Sequence, residues 1–297
     1  MTKRIKALVG LLIVLLVLMA ALLAYILTGD GDWLFQTSYL QSTEQIYIME
    51  AGILHNEQAF RDGEDYVIKY DFDNAEYPEL LKKYGIEKTA GDGTEFEKAL
   101  ALMDAYASRL HHASNYDNHI DMNAIALLEY SLDNKSQGIN CRSKSQILNE
   151  MCLALGIYSR KVWINPNSIY DNECHVVNEI WDAKLNKWIM LDITNNFYWV
   201  DEKGIPLSVL EIRNHIANQE FCTPVAPDDN LNNLEKSLER NYENFLYIAK
   251  NMVYTSYCIE YTVGETDESY FLIPEVFTPN DNIMLISKEA IEASPTR

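Results

Sequence analysis

Gly138–Ile164 reads GINCRSKSQILNEMCLALGIYSRKVWI, and two shorter runs follow it, HVVNEIW (His175–Trp181) and KWIMLDIT (Lys187–Thr194). Ile147, Met151 and Leu155 recur at i, i+4, i+8, and Leu148 with Cys152 widens the apolar stripe. This spacing predicts a helix that opens at Cys141 and stops at Gly156. Tyr158–Ile164, His175–Trp181 and Trp188–Asp192 are dense in β-branched and aromatic residues and read as strands. The polar run DAKLNK (Asp182–Lys187) turns the second strand into the third as a hairpin. With a two-residue turn at Lys184 and Leu185, His175 opposes Thr194, and Asp192 sits diagonally across from His175, within reach of it.

Three chemically capable residues fall at the ends of these elements. Cys141 opens the helix, where unpaired backbone N–H groups and the helix dipole favour a thiolate and can hold an oxyanion. Gly138 is expected to permit the tight turn before it. His175 starts a strand and can take the thiol proton and return it to a leaving amine. Asp192 ends the next strand, where a carboxylate can bond the other imidazole nitrogen and fix its tautomer. A free cysteine on its own is more often a small buried hydrophobe; the matching placement of His175 and Asp192 is what favours chemistry.

The same residues carry a family resemblance. Gly138-x-x-Cys141 opening a helix, Gly156-Ile157 with Arg160 after it, His175 with Glu179 on a strand, and Trp188 with Leu191-Asp192 on the next resemble the transglutaminase-like superfamily. The resemblance covers about residues 100–200. It implies an α+β, papain-like core, with the nucleophile-bearing helix packed on an antiparallel sheet, and a Cys141-His175-Asp192 catalytic triad. Many relatives carry Pro where this chain has Ile193. No acidic calcium-binding loop of the EF-hand type is present, and the flanks do not match the large calcium-dependent crosslinking enzymes.

Other candidates read as structural. Cys152 lies on the apolar stripe, and Cys174 alternates with His175 and is expected to face the other side of the strand. Cys222 and Cys258 are the remaining thiols, and the sequence does not settle whether they pair. Five cysteines leave at least one unpaired, and no C-x-x-C or other zinc spacing occurs. Glu179 is expected to be a hydrogen-bonding partner and not a second base. His111, His112 and His119 read as surface or capping residues. Of Trp163, Trp181, Trp188 and Trp199, most are expected in the core, with one available to line a substrate groove.

Working outward, Thr94-Glu95-Phe96-Glu97 is a capping-box pattern that starts a helix running to about His112, and a second helix is expected at about 121–131. Tyr66–Phe72 reads as a strand, and Pro78 opens a short helix stopped by Gly85. Ser208-x-x-Glu211 caps another short helix; a long helix is expected at about 231–250, then strands at Tyr254–Val263 and Ser269–Phe277. At the other end, Ala7–Leu27 runs without a charge, behind Lys3, Arg4 and Lys6. At roughly 1.5 Å per residue it covers roughly 30 Å, enough for a bilayer core. A cleaved signal peptide is the alternative, but its apolar run is normally shorter and ends in a small-x-small site. The positive-inside rule puts residues 1–6 in the cytoplasm and 28–297 outside.

The chain of 297 residues thus divides into a cytoplasmic tip (1–6), a transmembrane signal anchor (7–27), a stalk (28–45), an N-terminal α/β extension (46–98), a transglutaminase-like core (99–222) and a C-terminal helix with strands (223–297). Forty-four acidic residues against 24 basic ones give a net charge of −20, which repels phosphate backbones and argues against nucleic-acid partners. The expected function is a membrane-anchored, extracytoplasmic cysteine enzyme that attacks amide bonds of peptides or proteins through a thioester, hydrolysing rather than crosslinking, with no cofactor and no metal. The rival is a catalytically silent binding or scaffolding module on the same fold.

Overall fold

The computed structural model describes residues 3–28, 45–168, 170–171, 173–266, 268–277 and 283–296. Residues 1–49 and 50–297 form two separate units. The first contains helix α1 (Lys3–Thr28), whose side chains are described at residue 5 and residues 8–23. Among the described residues no helix is long and apolar enough to cross a membrane; the anchor expected at 7–27 falls on α1, with the side chains of 7 and 24–27 outside the description, and stalk residues 29–44 lie outside the described residues.

The second unit is a mixed α+β structure built on one eight-stranded, mostly antiparallel sheet. Residues 45–56 are helical (α2), and 50–56 of them belong to this unit. Then follow β1 (Lys69–Tyr70), α3 (Tyr77–Tyr84), α4 (Ile86–Ala90), α5 (Glu95–Ala107), α6 (Ala124–Ser131), α7 (Cys141–Ala154), β2 (Ser159–Asn165), β3 (His175–Asp182), β4 (Lys187–Asp192) and β5 (Phe197–Asp201). The chain closes with α8 (Val209–Ala217), β6 (Cys222–Val225), α9 (Leu234–Arg240), α10 (Tyr242–Lys250), β7 (Tyr254–Tyr257), β8 (Glu260–Tyr261), β9 (Tyr270–Leu272), β10 (Met284–Leu285) and α11 (Lys288–Glu292). The sheet order is β10-β9-β7-β2-β3-β4-β5-β6, with only β10 and β9 running parallel.

Local chemistry sets most boundaries. The capping box of Thr94 and Glu97 forms as expected, and so does that of Ser208 and Glu211. Gly85 takes the left-handed conformation that stops α3, and Gly156 does so after α7. The β3–β4 hairpin pairs Trp181 with Trp188 and Asp182 with Lys187, so the loop has four residues rather than two, yet the expected register holds. Asp182 fixes it: its carboxylate accepts the N–H of Leu185 at 2.8 Å, while Asn186 supplies the left-handed residue at φ 52°.

Strand β3 is buried on both faces because helices cover both. Ile180, Ile189 and Leu191 pack with Ile147, Leu148 and Met151 of α7 in the core cluster, which α3, α4, α5 and α6 complete. On the other face Val162, Val177, Met190 and Trp199 are also buried; the Val209 N–H at the start of α8 reaches Glu179 there at 2.8 Å, and Phe245 of α10 lies against Trp199 at 5.3 Å. Two hydrogen bonds stitch α7 to β3: Ser145 Oγ donates to the Val176 carbonyl at 2.8 Å, and Asn178 Nδ2 donates to the Ser145 carbonyl at 2.9 Å. They lock the helix start against the strand start.

Several expectations need correction. The helix from Glu95 ends at Ala107, five residues before His112, because residues 111–113 leave it to pair with Ile139. The strand expected at Tyr66–Phe72 shrinks to Lys69–Tyr70, which pairs among the described residues with the two-residue β8. The long helix at 231–250 is two helices, broken at Asn241, whose side chain donates to the Pro224 carbonyl at 3.3 Å. Gly138 does not adopt a left-handed turn; a Cβ there would lie 2.8 Å from that of Ala113, so glycine is required for close approach.

Candidate active site

Cys141, His175 and Asp192 meet at the end of the sheet where α7 begins. Cys141 is the first residue of α7, after Asn140, whose side chain caps the helix by accepting the Ser143 N–H at 3.0 Å. The thiol is half-buried and lies beside the His175 imidazole, which acts on its ionisation. His175 Nε2 lies 2.8 Å from Asp192 Oδ2, which leaves Nδ1 for the sulfur. His175 and Asp192 are both buried.

Asp192 is held by more than the histidine. Its Oδ1 accepts the N–H groups of Thr194 and Asn195 at 3.0 and 3.2 Å, and its Oδ2 accepts Asn195 Nδ2 at 2.8 Å. This turn at the end of β4 fixes the carboxylate while it orients the imidazole.

The electrostatics follow from these contacts. Burial alone would raise the Asp192 pKa, but the charge and hydrogen bond of His175, helped by Asn195, bring it below the ordinary carboxylate value. Burial would lower His175, and the charge and hydrogen bond of Asp192, then those of Cys141, raise it well above the ordinary imidazole value. Burial would raise the Cys141 thiol, but the His175 hydrogen bond and charge, and the Val176 N–H, hold it below the ordinary thiol value. Both shifts favour the thiolate–imidazolium form over the neutral pair.

Cys141 and His175 open on a cleft of about 650 Å³, with Asp192 buried behind the imidazole. His112, Trp163, Cys174, Asn195 and Tyr247 also line it. Trp163 is the one tryptophan of the four that reaches the groove, while Trp199 is in the core and Trp181 packs on Trp188 at 5.5 Å. Cys174 corrects an expectation: β3 starts at His175, so strand alternation does not govern residue 174, and its exposed thiol joins the cleft wall. Among the described residues all five cysteines are free thiols, Cys222 and Cys258 included. Glu179 is a structural partner as expected, accepting from Arg160 at 2.9 and 2.6 Å and from the Val209 N–H at 2.8 Å.

Sequence reasoning missed four cleft residues. His112 is carried there by the ladder in which Ile139 donates to the His111 carbonyl and Ala113 donates to that of Ile139. Burial, with Lys144 and His175 as charged neighbours, lowers its pKa and keeps it neutral. Tyr247 arrives on α10, with its ring edge-on to His175 at 5.6 Å between centroids. Asn195 had a local signal, since Asp-x-Thr-Asn at a strand end suits a side-chain-capped turn. Cys174 and Tyr247 had none.

Comparison with known proteins agrees with the motif pattern. Residues 82–193 match the family model of the transglutaminase-like superfamily, so the chain carries a transglutaminase-like domain that includes Cys141, His175 and Asp192. A solved structure from Cytophaga hutchinsonii, described as a candidate cysteine protease, is 17% identical with a TM-score of 0.31; the match covers 56% of this chain and 49% of that one. The chain thus spans about half the length of that protein, and at that score the likeness carries nothing further. No curated protein matches the chain.

Proposed function

We propose that the protein is a membrane-anchored, extracytoplasmic cysteine enzyme that cleaves amide bonds of peptides or proteins through a thioester on Cys141. The observation that carries this reading is a helix-start thiol and a carboxylate-held imidazole meeting in one open cleft. The thiolate attacks the amide carbonyl carbon. Free N–H groups at the start of α7 receive the oxyanion. His175 passes its proton to the leaving amine as the C–N bond breaks, which leaves a thioester and a neutral imidazole. Water then attacks the thioester, His175 takes its proton, and the acid departs as the thiolate reforms. An amine in place of water would give transamidation; water is the abundant acceptor in an open cleft, and hydrolysis is favoured.

The location rests on the sequence. The uncharged run 7–27 behind Lys3, Arg4 and Lys6 supports a retained anchor with residues 28–297 outside the cell. N-terminal sequencing of the membrane-associated protein tests this, and a start near residue 25–30 would replace the anchor with a cleaved signal.

Iodoacetamide labelling near neutral pH tests the chemistry. Cys141 should alkylate faster than a free peptide thiol, and His175→Ala should remove the advantage. Equal rates would leave a binding module. Incubation with cell-envelope peptides, followed by a mass-spectrometric search for an acyl adduct on Cys141, tests the substrate class.

A further inference from the structure

Lys144 is 2% exposed, and among the described residues it forms no ion pair. The other cation of the same helix turn, Arg142, is by contrast paired with Glu265. Lys144 sits in the first turn of α7, three residues after Cys141 and so on the same helix face, and its N–H donates to the Asn140 carbonyl at 3.1 Å. Both features of this placement are unfavourable taken alone. Burial disfavours an ammonium, and a cation in the first turn opposes the helix dipole. Negative charge close by offsets both.

The groups around Lys144 come from each segment that builds the site. Cys141 lies one turn back on α7, Asp192 ends β4, and His112 belongs to the ladder at 111–113; all three interact with the ammonium through charge. His175 starts β3 and bonds Asp192 at 2.8 Å. His112 stays neutral because burial lowers its pKa. Tyr247 and Cys174 face the thiol from α10 and from the segment before β3, and burial raises both, so they stay protonated. The charges that remain are the thiolate, the imidazolium, the carboxylate and the ammonium. Lys144 lies behind the cleft wall and not on it.

The ionised triad by itself holds two anions against one cation, an excess negative charge in a largely buried place. We infer that Lys144 is a positioning residue of this site: its ammonium supplies the second positive charge that lets the Cys141 thiolate and the Asp192 carboxylate share one imidazolium. The inference rests on the thioester chemistry proposed above and deepens it. With Lys144 charged, the site is neutral at every stage. An oxyanion replaces the thiolate in the tetrahedral intermediate while His175 stays protonated. In the acyl-enzyme the thioester and imidazole are neutral, and ammonium and carboxylate balance. No step then creates net charge in a poorly solvated site.

The pH profile of iodoacetamide labelling tests this on the full chain, read by mass spectrometry at Cys141 because Cys174 is also exposed. Lys144→Met should move the acid limb of the profile up by about one pH unit, so labelling on that limb slows about tenfold. Lys144→Gln, also neutral, should move it likewise, and Lys144→Arg should keep it near the wild-type position. The urea midpoint of Lys144→Met should hold or rise, because a buried charge is replaced by an apolar chain of similar volume. A limb unmoved in both neutral variants would overturn the inference and make Lys144 a packing residue. A limb moved as far by Lys144→Arg would overturn it too, since charge would not be the cause. A wild-type Cys141 that labels no faster than a free peptide thiol would overturn the enzyme reading itself; a fast wild-type thiol with an unmoved limb overturns the role of Lys144 alone.

Discussion

Strand β3 carries a buried ion pair near each end, and the two pairs sit on the same face. At one end His175 meets Asp192 at 2.8 Å; four residues on, Glu179 meets Arg160 at 2.6 Å. All four residues are at most 3% exposed. Burial and pairing therefore do not tell a reactive pair from a structural one. The neighbours do. His175 turns its free nitrogen to a thiol and a 650 Å³ cleft. Glu179 spends its second oxygen on the Val209 N–H, and Arg160 is stacked on Trp188 at 3.9 Å. A pair whose other contacts lie within the fold supports the fold; a pair with one member turned to a thiol and an open cleft is available for chemistry.

The largest test of that contrast is at the cleft end. Cys141→Ala or Cys141→Ser should cut turnover of an amide substrate by at least about 10³-fold while the urea midpoint of unfolding stays near the wild-type value. At the other end the effects should swap. Glu179→Gln strands a buried guanidinium and should cost about 3–5 kcal/mol of stability, read from urea unfolding, with the pH profile of Cys141 alkylation unchanged in the fraction that folds. A large loss of stability in the first pair of variants, or a shifted thiol profile in the second, would erase the distinction.

Gly138→Ala links site and scaffold. Its Cβ would press on Ala113, and overpacking of this kind costs about 1–3 kcal/mol. The strain falls on the ladder that holds His112, so alkylation of Cys141 should slow along with the drop in unfolding midpoint.

The smallest effect is the most diagnostic. The Cys141 pKa is lowered and that of His175 is raised, so the thiolate persists as pH falls below the ordinary thiol range. The imidazolium persists as pH rises above the ordinary histidine range. Alkylation should therefore be fast across the interval between those two ordinary values. Asp192→Asn removes the chief support of the imidazolium, so the His175 pKa falls and the thiolate loses its partner. Alkylation at pH 6.5 should drop about tenfold, roughly one pKa unit. A profile that Asp192→Asn leaves unmoved would make the carboxylate a bystander.

Much of this was legible because it is local. The helix stripe from Ile147 to Leu155, the Gly156 stop and the hairpin register between Trp181 and Trp188 depend on residues within a few turns of one another. The diagonal approach of Asp192 to His175 follows from that register. What was not legible depends on distant chain. Tyr247 reaches His175 across more than 70 residues. His112 leaves its expected helix because Ile139 offers a backbone partner. The break at Asn241 depends on the Pro224 carbonyl, so helical periodicity over 231–250 could not reveal it.

The sheet order has a consequence in time. Strand β2 lies in the middle of the finished sheet, yet its outer partner, β7, is made about 90 residues later. Between the emergence of Cys141 and that of Tyr247 a chain growing at about 5–20 residues per second takes roughly 5–20 s. Throughout that interval β2 has an open backbone edge and the thiol has no complete cleft around it. The newborn chain thus cannot acylate itself or a neighbour through a finished site, and the open edge of β2 needs shielding until residues 254–257 arrive.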